Sequence, residues 1–180
     1  MTYMVPKKEA AVVAEPATAA VHPLAVSPEE GLFAVPPDAV IAQCQKLLSL
    51  KYATMLAYIN YGDRIRAHFR DAIYEHWKEH TEDERNSAYT LAMKITALGG
   101  EPDTRVAPIP SISDLHQMMM QLLQFEKQLL AAARELVEMA GDNIGLRLMA
   151  EDMALTDAHH ADDLRRMFFC EQGTTTPGGI

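Results

Sequence analysis

The chain has 180 residues, 48% of them hydrophobic but only 7% aromatic, with 11 methionines. That is enough for one domain with a sizeable core of Leu, Ala and Met. A formal net charge of −9 argues against a nucleic-acid partner, which would want a basic stripe. Two cysteines, Cys44 and Cys170, exclude a disulfide scaffold and a sulfur-rich metal site. No apolar run approaches the roughly 20 residues of a membrane span. A reducing, cytoplasmic setting is the default expectation for such cysteine usage. Lys7 and Lys8 precede an apolar patch, but Glu9, Glu15, Pro16 and His22 interrupt it. That is not the pattern of a secretory signal.

Residues 1–36 are rich in Ala, Val and Pro and carry no sustained period. They are expected to be an extended or disordered arm. Its apolar piece, Gly31 to Val35, is suited to docking on a partner or on the helices that follow. The first helix should begin after Pro36-Pro37, with Asp38 near its N-cap, and end near Ala67. Its core face is Val40, Cys44, Leu47, Met55, Tyr58, Gly62 and Ile65, with Lys51 as the misfit. His68-Phe69-Arg70 should turn the chain, and Asp71 should cap the second helix. That helix should run to Leu98, where Gly99-Gly100 ends it and Pro102 prevents resumption. Its face is Ile73, Trp77, His80, Leu91 and Ile95, with Glu84 and Ser87 as misfits.

Residues 101–112 hold Pro102, Pro108 and Pro110 and no helical period. Extended, they reach about 40 Å, the length of a helix of about 27 residues. They can therefore cross the full length of a bundle. The third helix should start near Ser113 or Asp114 and end at Ala140, before Gly141. Met119, Leu122, Leu129, Ala133 and Leu136 form its face, and Glu126 is the misfit. Of Met118-Met119-Met120, one should face the bundle. The fourth helix should run from about Asn143 to Cys170, with Met149, Met153, Leu164 and Met167 on its face. Asp157 and His160 interrupt that face. His159, Glu82, Asp83, Asp162 and Asp163 are expected on solvated faces. Residues 172–180 should form a flexible Gly/Thr-rich tail, leaving residues 37–171 as the bundle.

Each misfit lies near the midpoint of its own helix. Helices of similar length packed side by side bring their midpoints to one level. Lys51, Glu84, Glu126, Asp157 and His160 should therefore converge at the centre. A carboxylate and an imidazole three residues apart on an apolar face are expensive to bury without a partner. Bundle metal sites use that acid-x-x-His spacing. With the first helix rising, the second falling, the crossover returning upward, the third falling and the fourth rising, Cys44 and Cys170 should lie at opposite ends, too far apart for a disulfide.

From about residue 38 to 170 the chain resembles the ferritin-like superfamily, most closely bacterioferritin and related ferritin-like domain proteins. The resemblance rests on Tyr58, on Glu79-His80-Thr81-Glu82-Asp83-Glu84-Arg85-Asn86-Ser87-Ala88, and on Ile95 to Pro102. It rests further on Glu126 followed by Arg134-Glu135, and on Asp157-Ala158-His159-His160-Ala161-Asp162. It implies an all-α, ferritin-like four-helix bundle with a long crossover between the second and third helices. The family uses a Glu on the first helix, a Glu-x-x-His on the second, a Glu on the third and a Glu-x-x-His on the fourth to hold two irons. Here Lys51 stands at the first Glu position, Ser87 at the first His position, and Asp157 replaces a Glu. Glu84, Glu126 and His160 match the family's ligands. Arg85 stands where bacterioferritins carry a haem-ligating Met, so no haem is expected by that route. Lys51 and Ser87 remove both terminal ligands of the same iron.

Two functional readings result. One is an iron-binding protein for iron handling, storage or oxidative protection, with a reduced, one-metal centre of Glu84, Glu126, Asp157 and His160. Ferroxidase-like activity would be weakened by Lys51 and Ser87. The other is a metal-free structural or binding module in which the Lys51 ammonium replaces the metal charge. Lys51 could instead snorkel outward and keep its charge wet. His80 and Tyr58 are accessory candidates, though each also suits a hydrogen-bonded core position. The resemblance implies a homo-oligomer. Only a Gly/Thr tail follows Cys170, so the C-terminal fifth helix of bacterioferritins is not expected. A further protein partner would engage the N-terminal arm or the C-terminal tail.

Overall fold

The computed structural model describes residues 32–66 and 70–172, with side chains as far as 167. Four helices make up the fold: α1 Pro37–Gly62, α2 Arg70–Ala97, α3 Leu115–Met139 and α4 Ile144–Gln172. No strand occurs among the described residues. None of these helices is long and apolar enough to cross a membrane.

Pro37 opens α1, where its missing N–H and fixed φ suit the first turn. Pro36 takes the N-cap position and makes no side-chain cap, so Asp38 sits inside the first turn instead. There a carboxylate favours the positive end of the helix dipole. The expected end near Ala67 is not reached. The helix stops at Gly62, and Arg64 bonds across to Ser111 Oγ and the Ile112 carbonyl. The expected turn at 68–70 falls largely outside the described residues. α2 begins at Arg70, one residue before the expected cap; the Asp71 carboxylate accepts from Arg70 at 3.2 Å. Gly99, at φ 84°, takes the left-handed conformation that ends α2. Asp114 caps α3, accepting from the Gln117 N–H at 2.9 Å. Asn143 Oδ1 accepts from the Leu146 N–H at the start of α4.

α1 pairs with α2, and α3 pairs with α4. The segment between α2 and α3 runs along α1 from one end to the other. Gln45 receives the Asp103 N–H and donates to the Glu101 carbonyl. Ser49 O accepts from Ala107, and the Tyr61 hydroxyl donates to the Pro110 carbonyl. The long crossover is therefore present, pinned to α1 at Gln45, Ser49 and Tyr61. At the opposite terminus, residues 32–35 dock on the α3–α4 turn: Ala34 N donates to Met139 O, and Asp142 N and Asn143 N donate to Leu32 O. Residues 1–31 of the expected arm, and residues 173–180 of the expected tail, lie outside the described residues.

The interior has two apolar clusters. One gathers Cys44, Leu47, Leu91, Leu129, Leu136 and Leu146, all fully buried. The other gathers Tyr58, Trp77, Met118, Met119, Leu122 and Leu164. Each fully buried aliphatic side chain adds about 1.5–3 kcal/mol. Met118 and Met119 are both buried and only Met120 is exposed. The expectation that one of the three faces inward fails because the crossover, through Ile109 and Ile112, covers a second face of α3. Leu146 packs in the cluster of Cys44, and Cys170 lies further along α4, about 36 Å from position 146 at 1.5 Å per residue. Between the two clusters lies a polar layer.

Candidate metal centre

The polar layer holds the midpoint residues of all four helices. Lys51, Glu84, Glu126 and Asp157 have no exposed surface, and His160 is 3% exposed. Lys51 does not snorkel. Its Nζ lies 3.0 Å from Glu84 Oε2 and 2.5 Å from Asp157 Oδ1. His160 Nδ1 lies 3.3 Å from Glu84 Oε1 and 3.4 Å from Glu126 Oε1. Those distances suit ion pairing, but the angles miss hydrogen-bond geometry, and Nδ1 is buried without a hydrogen-bond partner. Both Glu84 oxygens, Glu126 Oε2 and Asp157 Oδ2 are in the same condition. One donor atom from each of Glu84, Glu126, Asp157 and His160 lies within 4.8 Å of the others.

Tyr58 and His80 frame this layer from above. The Tyr58 hydroxyl donates to Glu126 Oε1 at 2.5 Å, and His80 Nδ1 lies 3.1 Å from the same hydroxyl. The His80 and His160 rings stack at 3.9 Å. His160 Nε2 faces Asp83 Oδ2 at 3.3 Å. Ser87 is half-buried, one turn beyond Glu84 on α2. Arg85 is exposed and pairs with Glu82. His159 is exposed, as its position off the core face requires.

The electrostatics follow from this packing. Burial opposes the Lys51 charge, but Glu84 and Asp157 more than offset it and hold the ammonium protonated. Burial likewise opposes charge on His160, yet Glu126 and Glu84 raise it to about 10. Burial pushes Asp157 up to about 7; Lys51 lowers it, and the neighbouring Glu84 and Glu126 raise it further. Glu126 is also raised, chiefly by burial. In Glu84 the burial penalty is outweighed by Lys51, and the carboxyl is lowered. Burial lowers His80 to about 3, so its ring is neutral.

Two residues expected on solvated faces belong to this region. Asp83 is exposed as expected and pairs with His160, while Asp163 is half-buried against His76 and His80. For Asp163 the spacing gives a partial signal: it follows His160 by three residues and so shares its face, but its meeting with His76 depends on how α2 turns against α4. Gln43 was also passed over. It is 6% exposed and donates to the Ala132 carbonyl and to Glu135.

Three carboxylates and one imidazole, buried with oxygens and a nitrogen that have no hydrogen-bond partner, are a donor set that fits one divalent cation. The arrangement does not repeat itself around Lys51, where an ammonium occupies the space between Glu84 and Asp157. Fold and site together define a four-helix carboxylate-histidine bundle protein. The chain belongs to the ferritin-like family: the ferritin-like domain model matches residues 41–168.

No curated protein sequence matches the chain. Among solved structures it is similar to a ferritin-like diiron-carboxylate protein of Bacillus anthracis str. Ames, at 23% identity and a TM-score of 0.70, covering 73% of this chain and 96% of that one. It is also similar to the dodecameric thioferritin of Bacteroides fragilis, a bacterioferritin-related protein, at 17% identity and 0.71, covering 79% and 94%. The bacterioferritin of Rhodobacter capsulatus, with a metal-free dinuclear site and haem iron, matches at 16% and 0.68, covering 76% and 87%. At these identities the likeness concerns the fold.

Proposed function

We propose that the chain is an iron-binding protein of iron handling, storage or oxidative protection, with a reduced, one-metal centre. Glu84, Glu126, Asp157 and His160 are its ligands. Lys51 fills the half-site that a second iron would take, and Ser87 leaves that half-site without an imidazole. The observation carrying this reading is the Lys51 ammonium held between Glu84 and Asp157, beside a four-residue donor set. Charge supports it. Glu84, Glu126 and Asp157 bring three negative charges, and Lys51 with one divalent cation cancels them when His160 is neutral. Two divalent cations would leave a buried excess of positive charge, which is costly.

A bound iron would supply one-electron redox chemistry. The protein's own part is positioning. Tyr58 fixes Glu126 through its hydroxyl, and Asp83 fixes His160 from behind, as partners of ligands do in metal sites. The diiron-carboxylate and bacterioferritin relatives support iron handling. The dodecameric relative, with exposed Leu56, Ile59, Tyr89 and Met93 here, supports a homo-oligomer. A cytoplasmic setting and a partner contact through the arm or tail remain part of the reading. Haem by the usual Met position is not, since Arg85 stands there.

Elemental analysis after anaerobic Fe(II) loading, of wild type beside Glu126→Ala, tests it. Glu126→Ala should hold about one iron per chain fewer than wild type. A loss of two would mean that Lys51 vacates its half-site.

A second reading has its own support. His160, raised to about 10, can sit protonated between Glu84 and Glu126, and with Lys51 it closes the polar layer without metal. The chain would then be a ferritin-like structural or binding module. No iron after loading favours it.

A further inference from the structure

We propose that His76, His80 and Asp163 form a second binding site, near the bundle surface, for a divalent first-row transition ion. It shares no ligand with the buried layer and does not depend on that layer holding metal. His76 and His80 stand four residues apart on α2, so both rings leave the same face. Asp163 reaches the same place from α4. Its Oδ2 lies 3.3 Å from His76 Nε2 and 3.6 Å from His80 Nε2. One donor atom from each of the three lies within 4.8 Å of the others. Ligands held at about 2.1 Å in a tetrahedron stand about 3.4 Å apart, close to both distances.

The His80 ring is held from behind by a hydrogen bond, and a carboxylate stands behind His76 at ion-pair distance. Glu79 Oε2 lies 3.7 Å from His76 Nδ1, and the Tyr58 hydroxyl lies 3.1 Å from His80 Nδ1. Tyr58 has one hydroxyl proton and donates it to Glu126. It must therefore accept from His80, whose hydrogen is on Nδ1. That turns Nε2 toward the Asp163 carboxylate oxygen, 3.6 Å away. A cation between the two would be held by both. Asp163 is prepared in the same way: Arg166 takes its Oδ1, leaving Oδ2 to the imidazoles. An oxygen partner behind each ligating His is the usual support of a metal site. Two imidazoles and one carboxylate suit Fe(II), Co(II), Ni(II) or Zn(II). The His76 and Asp163 side chains are 30% and 23% exposed, so an ion can arrive from solvent and keep water in its remaining positions.

The test is a Co(II) titration of the full, metal-stripped chain, read by equilibrium dialysis, for wild type, His76→Ala and Asp163→Asn. Helical circular dichroism confirms that each variant is folded. Wild type should bind one Co(II) more per chain than either variant. The variants' affinity for that ion should fall by at least the roughly 10–100-fold that losing an outer partner costs. Equal Co(II) binding by all three proteins would overturn the site. Zn(II) titration of wild type followed by histidine NMR gives a check free of any variant. The His76 ring signals should shift with the first equivalents, and unshifted signals at saturation would overturn the site as well. Neither readout requires the buried layer to take metal.

Discussion

Lys51 is the residue on which the chemistry of this bundle turns. Its ammonium has no exposed surface and bridges carboxylates from α2 and α4. Lys51→Met would leave Asp157 buried without its counter-charge and Glu84 with His160 alone, so a loss of about 3–5 kcal/mol is expected in denaturant unfolding of the metal-free protein. Unchanged stability would mean that the ion pair adds nothing. Lys51→Glu combined with Ser87→His restores a second ligand set, and the iron capacity should rise by about one per chain in Fe(II) titration. Proton linkage gives a third expectation. His160, raised to about 10, holds its proton at pH 7 in the metal-free state and must release it to become a ligand. Metal and proton compete, so affinity should rise with pH through neutrality, with about one proton or more released per metal at pH 7. For folding the sign is opposite. The raised His160 contributes stability that is full below its unfolded value near 6.5 and lost as pH rises through about 10. Metal-free protein should therefore weaken across that window, measured by unfolding at a series of pH values.

At the scale of elements, the helices were legible because apolar residues recur at helical spacing between Pro and Gly punctuation. Gly99, Gly141 and Pro102 stopped helices where local backbone chemistry alone decides. The failures came where a distant segment decides. Past Gly62 the chain leaves the helix and Arg64 bonds to the crossover, and Met118 is buried in a cluster against which Ile109 and Ile112 of the crossover pack. Neither contact is visible in a local window. Gly141 is the sharpest test at this scale. Its φ of 56° disfavours any side chain, and a Cβ there would come within 2.5 Å of Ala34 N and 2.7 Å of Leu32 O. Gly141→Ala should cost about 1–2 kcal/mol through the backbone and release residues 32–35 from the α3–α4 turn. Faster hydrogen exchange at the Ala34 amide would record the release.

At the scale of the molecule, five misfit residues at four helix midpoints were enough to foresee the polar layer, because helices of 25–29 residues packed side by side share their mid-level. The rim of that layer was not legible in the same way. Asp83 and Asp163 reach His160 and His76 only through the rotation of α2 against α4, which periodicity does not encode. In the proposed centre, one divalent cation and the Lys51 ammonium together balance three buried carboxylates. Anomalous diffraction from crystals of the wild-type chain loaded with Fe(II) measures this most directly. In the buried layer, one iron peak per chain is expected among Glu84, Glu126, Asp157 and His160, with Lys51 Nζ still against a carboxylate. Two peaks there about 3.5–4 Å apart, the spacing of a paired-metal site, or no peak there at all, would contradict it.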